Sequence, residues 1–204
     1  MNLDLSALDP KSIYQTMIQC IVPRPIAWVL SDNGDESFNL APFSYFNGVS
    51  SKPPIISISI GKKRDGSKKD TWIKIEERKH FVVHLAQADQ APHVSATAAS
   101  LPFGESELTD NDLPTVQDPY WPLPRLEKTP IAMLCRLHQI IEVGETPQAL
   151  VLGRIEQLYI ADQITKDSDT AAPSIDSALL DPLARLGGDD YAKVGAPFTV
   201  QRPA

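Results

Sequence analysis

Eighteen prolines in 204 residues set the first limit on what this chain can fold into. Proline fixes φ near about −65° and carries no backbone N–H, so it is excluded from helix interiors and central strands. At this density it favours short strands joined by fixed corners over a helix bundle. The stretches between prolines agree. Residues 22–30 (VPRPIAWVL) read as a strand entered through a Pro-Arg-Pro corner, and SDNGDE at 31–36 carries an Asn-Gly turn signal. Residues 38–45 read as a second strand. Pro53-Pro54 then opens IISISI, whose strict alternation over 56–60 buries one face and not the other.

Further along, residues 71–79 (TWIKIEERK) read as a helix and 80–86 (HFVVHLA) as a strand. Residues 87–130 are looser: small helix formers (VSATAAS), then a proline-rich stretch. Strand patterns return at 131–143 and 149–160, joined by GETPQ. A short helix fits 11–19 (KSIYQTMIQ), and the tail from Ala161 is acidic and proline-punctuated. Six or seven strands with few helices predict a closed, mainly antiparallel barrel.

Composition narrows the function classes. A net charge of −7 argues against nucleic acid, whose phosphates need a basic face. No run of eighteen apolar residues exists, so no transmembrane helix is expected, and MNLDLSALDPKSIYQ lacks the basic and apolar regions of a secretory signal. A cytoplasmic location is the expectation. Cys20 and Cys135 lie far apart with no CxxC or Cys/His cluster, so two reduced, buried thiols are expected and a zinc site is not. His80 and His84 are spaced i, i+4, but on a strand that spans about 13 Å, too far for a metal pair.

Two signals carry chemistry. The first is GKKRDGSKKDTW, residues 61–72, with five cations (Lys62, Lys63, Arg64, Lys68, Lys69) just before a helix whose N-cap is expected at Asp70 or Thr71. A helix N-terminus offers free N–H groups and partial positive charge, and with lysines and a hydroxyl it can hold a phosphate. A solvated hairpin loop explains the same charges equally well. The second signal is the polar set Asn39, Ser44, Asn47, Ser57 and Ser59 within NLAPFSYFNGVSSKPPIISISIG. Pro42 puts its strand at an edge or beside a gap, where backbone groups can meet either water or a flat heteroaromatic ligand. One ligand with a polar ring and a terminal phosphate would join the two signals; flavin mononucleotide (FMN) has that shape, and pyridoxal phosphate is a weaker alternative.

VPRPIAWV, NLAPFSYFNGVSSKPPIISISIG, KKDT and FVVHL, in this order, resemble the flavin reductase-like family of FMN-binding split barrels, in particular its flavoredoxin-like subgroup. The C-terminal RLGGDDYAKVGAPFTVQRP is similar to that subgroup's ending. The resemblance implies one domain over 1–204, a six-stranded antiparallel Greek-key split barrel with a few peripheral helices. Residues 1–12 would form an N-terminal arm, and about 161–204 an extension packed on the barrel or a dimer partner. It implies a homodimer with FMN near the subunit interface. Arg24 would lie near the flavin, and Asn39, Ala41, Pro42, Phe43 and Ser44 along its ring edge and ribityl chain. Ser59 and Gly61 would lead to a phosphate held by Lys69, Asp70 and Thr71, with Tyr191 closing the site. The implied activity is NAD(P)H:flavin oxidoreduction feeding a downstream acceptor such as a monooxygenase; an electron carrier without NAD(P)H activity and a non-catalytic flavin-binding module are the alternatives. No catalytic side chain is expected. The family's histidine in the turn before the last long strand is absent from Gly144-Glu145-Thr146-Pro147-Gln148, and His84 stands where asparagine is frequent.

Overall fold

The computed structural model describes residues 1–145, 148–167 and 172–203. Helix α1 (Pro10–Cys20) starts where Asp9 accepts from the backbone N–H groups of Lys11 and Ser12, with Pro10 at its first position. Two residues, Arg24–Pro25, form β1. Strands β2 (Ala27–Asp32), β3 (Phe38–Phe43), β4 (Phe46–Ser51) and β5 (Pro54–Ile60) follow. Next come α2 (Asp70–Arg78), β6 (His80–Leu85), α3 (Ala91–Ala96), α4 (Glu107–Asp110), β7 (Thr115–Val116), β8 (Arg125–Leu126), β9 (Ile131–Val143) and β10 (Gln148–Ile160). Helix α5 (Ser177–Leu180), β11 (Ala184–Arg185) and β12 (Tyr191–Ala192) complete the described elements.

Seven strands form the main sheet in the order β3-β2-β6-β9-β10-β5-β4, every neighbouring pair antiparallel. This is one strand more than the expected six. The extra one, β4, has the sequence FNGVSS, whose glycine and polar residues carry no strand periodicity; it forms because it pairs with β5 along the sheet edge. The strand expected over 22–30 is interrupted: Arg24–Pro25 pairs instead with β11, and the sheet strand begins at Ala27.

Curling the sheet gives it two buried faces. The inner face packs Ala27, Val29, Phe43, Ile56, Ile58, Ile60, Phe81, Val83 and Val151 with Trp72 and Ile75 of α2. On the outer face, Trp28, Leu30, Leu40, Val82 and Leu134 are covered by Val94, Leu108, Trp121, Leu123 and Leu126 from the 87–130 segment, and by Leu183. Double coverage is why β2 is apolar and buried at consecutive positions. In β5 the alternation holds: Ile56, Ile58 and Ile60 are buried, Ser57 and Ser59 half-buried.

The C-terminal segment packs on its own barrel through Leu183 N–H to Ala86 O at 2.9 Å and the β1–β11 pairing. Past Ala192 it has no regular structure up to Pro203, and Phe198 and Val200 are exposed. Both cysteines are free; Cys135 is buried as expected, but Cys20 is exposed at the end of α1. Thr146 and Pro147, within the turn that lacks the family histidine, lie outside the described residues.

Candidate functional site

Strand β3 is an edge of the main sheet, as Pro42 requires. Its free edge faces the start of α2 and residues 97–101. Between them lies a cleft of about 80 Å³ lined by Asn39, Ala41, Pro42, Lys63, Lys69, Asp70, Thr71, residues 97–101 and Glu107. Six of the twelve candidate residues therefore meet in one place, brought together from β3 and α2.

Helix α2 begins one residue earlier than expected. Its N-cap is Lys69, whose side chain makes no capping bond, and Ile73 N–H to Lys69 O at 3.2 Å is the first turn's hydrogen bond. Leading N–H groups of the helix thus have no intrahelical acceptor and no side-chain cap. Lys69 makes no ion pair among the described residues; its ammonium sits 5.6 Å from the Phe43 ring centre. Although much of the residue is exposed, desolvation of the ammonium against the barrel mouth pulls its pKa below the usual lysine value.

The polar side chains of the cleft hold one another. Asn39, 2% exposed, donates to Thr71 Oγ1 at 3.0 Å and to Ser31 Oγ at 3.4 Å. Lys63 Nζ lies 2.5 Å from Asp70 Oδ1, a charge contact without hydrogen-bond alignment. Glu107 is buried and its Oε2 accepts from Leu40 N–H at 2.8 Å, so it caps the open edge of β3. Burial pushes this carboxyl above the ordinary glutamate value. Lys74 gives its ammonium to Asn33 Oδ1.

The other six candidates do not line the cleft. Arg24 is 4% exposed and its guanidinium donates four hydrogen bonds to the chain itself: Ile18 O at 2.5 Å, Ile21 O at 2.7 Å, Leu186 O at 2.7 Å and Ser44 Oγ at 3.3 Å. It ties α1, the corner before β2 and the C-terminal segment together. Tyr191 belongs to the small β1-β11-β12 sheet, stacked on Arg185 at 4.3 Å. Phe43 faces the inner core. Ser59 N–H donates to Tyr45 O at 2.8 Å, and a Cβ at Gly61 would meet nothing within 4 Å.

The charge run divides. Residues 62–68 form a hairpin loop, bridged between Lys62 and Lys68, in which Asp65 accepts from Ser67 and Lys68 pairs with Glu76 at 2.6 Å. Lys63 and Lys69 turn into the cleft. His84 is a hydrogen-bonded strand histidine: its Nε2 accepts from Leu126 N–H at 2.9 Å, which leaves Nδ1 to donate to Trp28 O at 3.0 Å. Glu107 and residues 97–101 went unnoticed because 87–130 has no periodicity; the signal available was Ser106-Glu107 opening a one-turn helix.

The model for the flavin reductase like domain matches residues 19–180. The chain belongs to the flavin reductase-like family. A relative from Halalkalibacterium halodurans of uncharacterized function is 33% identical over 207 residues, covering 100% of this chain and 97% of the relative. The crystal structure of nitrilotriacetate monooxygenase component B from Bacillus cereus superposes with a TM-score of 0.89 at 31% identity, over 98% of each chain. A putative flavin reductase with a split barrel domain from Shewanella frigidimarina gives a TM-score of 0.84 at 16% identity over 100% of both chains, a likeness of fold. The seven-stranded sheet is therefore a split barrel.

Proposed function

We propose that this family member binds FMN with its phosphate at the start of α2 and works as an NAD(P)H-dependent flavin reductase. The observation that carries the reading is the convergence of Asn39, Ala41, Pro42, Lys69, Asp70 and Thr71 on one cleft at an uncapped helix N-terminus. Its donors suit a phosphate monoester: backbone N–H groups with no intrahelical acceptor or side-chain cap, and a lysine with no carboxylate partner among the described residues. A cleft of about 80 Å³ takes the phosphate and adjoining chain. The ring then lies outside it, along the free edge of β3 toward Ser44, Ser59 and Gly61.

Two-electron chemistry is supplied by the flavin when bound, so no acid–base pair is needed in the protein. Lys69 and the α2 N–H groups anchor the phosphate. The β3 edge supplies backbone groups to the ring rim, and Pro42 keeps a neighbouring strand from closing that edge. Glu107 fixes the edge by accepting from Leu40 N–H. A second copy of the chain completes the ring site. This fits the exposed apolar side chains of Tyr14, Met17, Ile21, Val22, Val49, Ile141 and Val143, which a solitary barrel leaves in water.

Steady-state turnover of NADH and NADPH with purified protein and FMN tests the activity. Saturable oxidation of either nicotinamide, with flavin reduction, is expected. FMN binding without measurable oxidation of either would leave an electron carrier and overturn the reductase reading. Similarity to a monooxygenase component B favours an oxygenase as the acceptor of the reduced flavin.

A further inference from the structure

Asn39, Ser31 and Thr71 form a polar cluster beside the start of α2; Asn39 and Thr71 are each 2% exposed and Ser31 is fully buried. A side-chain amide has two hydrogens to give. Asn39 gives one to Thr71 Oγ1 at 3.0 Å and the other to Ser31 Oγ at 3.4 Å. A hydroxyl that accepts still has one hydrogen of its own to donate. Threonines elsewhere in the chain spend theirs on a carbonyl three or four residues back: Thr16 on Ser12, Thr97 on Val94, Thr129 on Leu126 and Thr165 on Asp162. Thr71 does not; among the described residues its hydroxyl hydrogen has no acceptor, and the residue lines the cleft. Its backbone N–H lies in the first turn of α2 and has no intrahelical acceptor either.

We infer that Asn39 is a positioning residue for the ligand's phosphate: by donating to Thr71 Oγ1 it holds that hydroxyl with its hydrogen free for an anion in the cleft. This rests on the FMN reading above. It changes the part expected of Asn39, whose amide hydrogens are committed to two hydroxyls and act on the ligand through Thr71, not at the ring edge. A hydroxyl that accepts a hydrogen bond becomes a better donor, so the amide also strengthens the bond that Thr71 makes. That bond runs to an ionised phosphate oxygen and is of the strong, charge-assisted kind. A flavin with its phosphate therefore feels the loss of Asn39, and one without it does not.

Flavin-free protein titrated with FMN and with riboflavin, the same ring and ribityl chain without the phosphate, tests this by flavin fluorescence. The proteins are the wild type, Asn39→Ala, Thr71→Val, the double variant and Thr71→Ser, each first shown to be folded by circular dichroism. Asn39→Ala and Thr71→Val are each expected to weaken FMN binding by about tenfold. Riboflavin binding should stay within about twofold in both, and the double variant should bind FMN no more weakly than Thr71→Val alone. Thr71→Ser keeps the hydroxyl and should bind FMN as the wild type does. A loss from Asn39→Ala that persists in the Thr71→Val background means that the amide meets the ligand itself, and equal losses for FMN and riboflavin mean that Asn39 only shapes the site. Either result overturns the inference and leaves the FMN reading standing. Should Asn39→Ala not fold, the Thr71 variants still decide: Thr71→Val that binds FMN as tightly as the wild type overturns the inference. Binding of neither flavin by the wild type overturns the FMN reading, and this inference with it.

Discussion

Two polar regions of this barrel differ in their hydrogen bonding. Around Arg24 and His84, buried polar groups are closed on themselves: four acceptors surround the guanidinium, and both imidazole nitrogens are bonded to backbone. At the start of α2, the polar groups are brought together but left open, with an uncapped helix end and a lysine that has no ion-pair partner among the described residues. Buried polar groups are normally satisfied. Closed sets therefore hold the fold, and the open set is where an outside ligand has something to bind.

Breaking the closed set should cost stability most. Arg24→Ala leaves the carbonyls of Ile18, Ile21 and Leu186 without their donor in a buried place. A loss of about 3–5 kcal/mol is expected in urea unfolding. A loss below about 1 kcal/mol would mean that Arg24 is free to serve a ligand after all.

Next in size is a pH effect at His84. Burial lowers its pKa from 6.5 to about 4. Between those values the unfolded chain binds a proton that the native chain refuses, so stability is complete above pH 6.5 and falls as pH drops toward 4. The fall from this group is about 3 kcal/mol. Unfolding free energies at several pH values should show a steeper acid slope in the wild type than in His84→Gln.

The open set should respond the other way round. Lys69→Ala is expected to weaken FMN binding by about 1.5–3 kcal/mol while changing stability by no more than about 0.5 kcal/mol. Thr71 is a poorer probe, because Thr71→Val would remove the shorter of the two hydrogen bonds that the buried Asn39 amide donates and mix stability with binding. Smallest of all is Lys68→Ala. Its pair with Glu76 is solvent-exposed, so both stability and FMN affinity should move by less than about 1 kcal/mol. A large loss of FMN affinity there would put the hairpin loop, not the α2 start, at the phosphate.

These contrasts also mark how much the sequence disclosed. Alternation in IISISI, the edge position forced by Pro42 and the long strands at 131–143 and 149–160 were legible because each follows from local periodicity or proline chemistry. Strand β4 was not, since FNGVSS owes its conformation to pairing with β5. The convergence of Asn39, Lys69, Asp70 and Thr71 was legible as a hypothesis from two nearby polar clusters. The partners of Arg24 were not legible for a related reason: a Pro-Arg-Pro corner does not reveal that α1 and the segment at Leu186 bring carbonyls to the guanidinium from 6 and 162 residues away. Glu107 reaches Leu40 across 67 residues, and nothing local announces such a contact.

The central claim is that the open cleft at the start of α2 holds the phosphate of FMN. Its most direct test is the visible spectrum of freshly purified protein, with the released chromophore identified and flavin-free protein then titrated with FMN in wild type and Lys69→Ala. The account predicts a flavin spectrum or saturable FMN binding in the wild type, and clearly weaker binding in the folded variant. A colourless protein that binds no FMN, or a variant that binds it as tightly as the wild type, would contradict it.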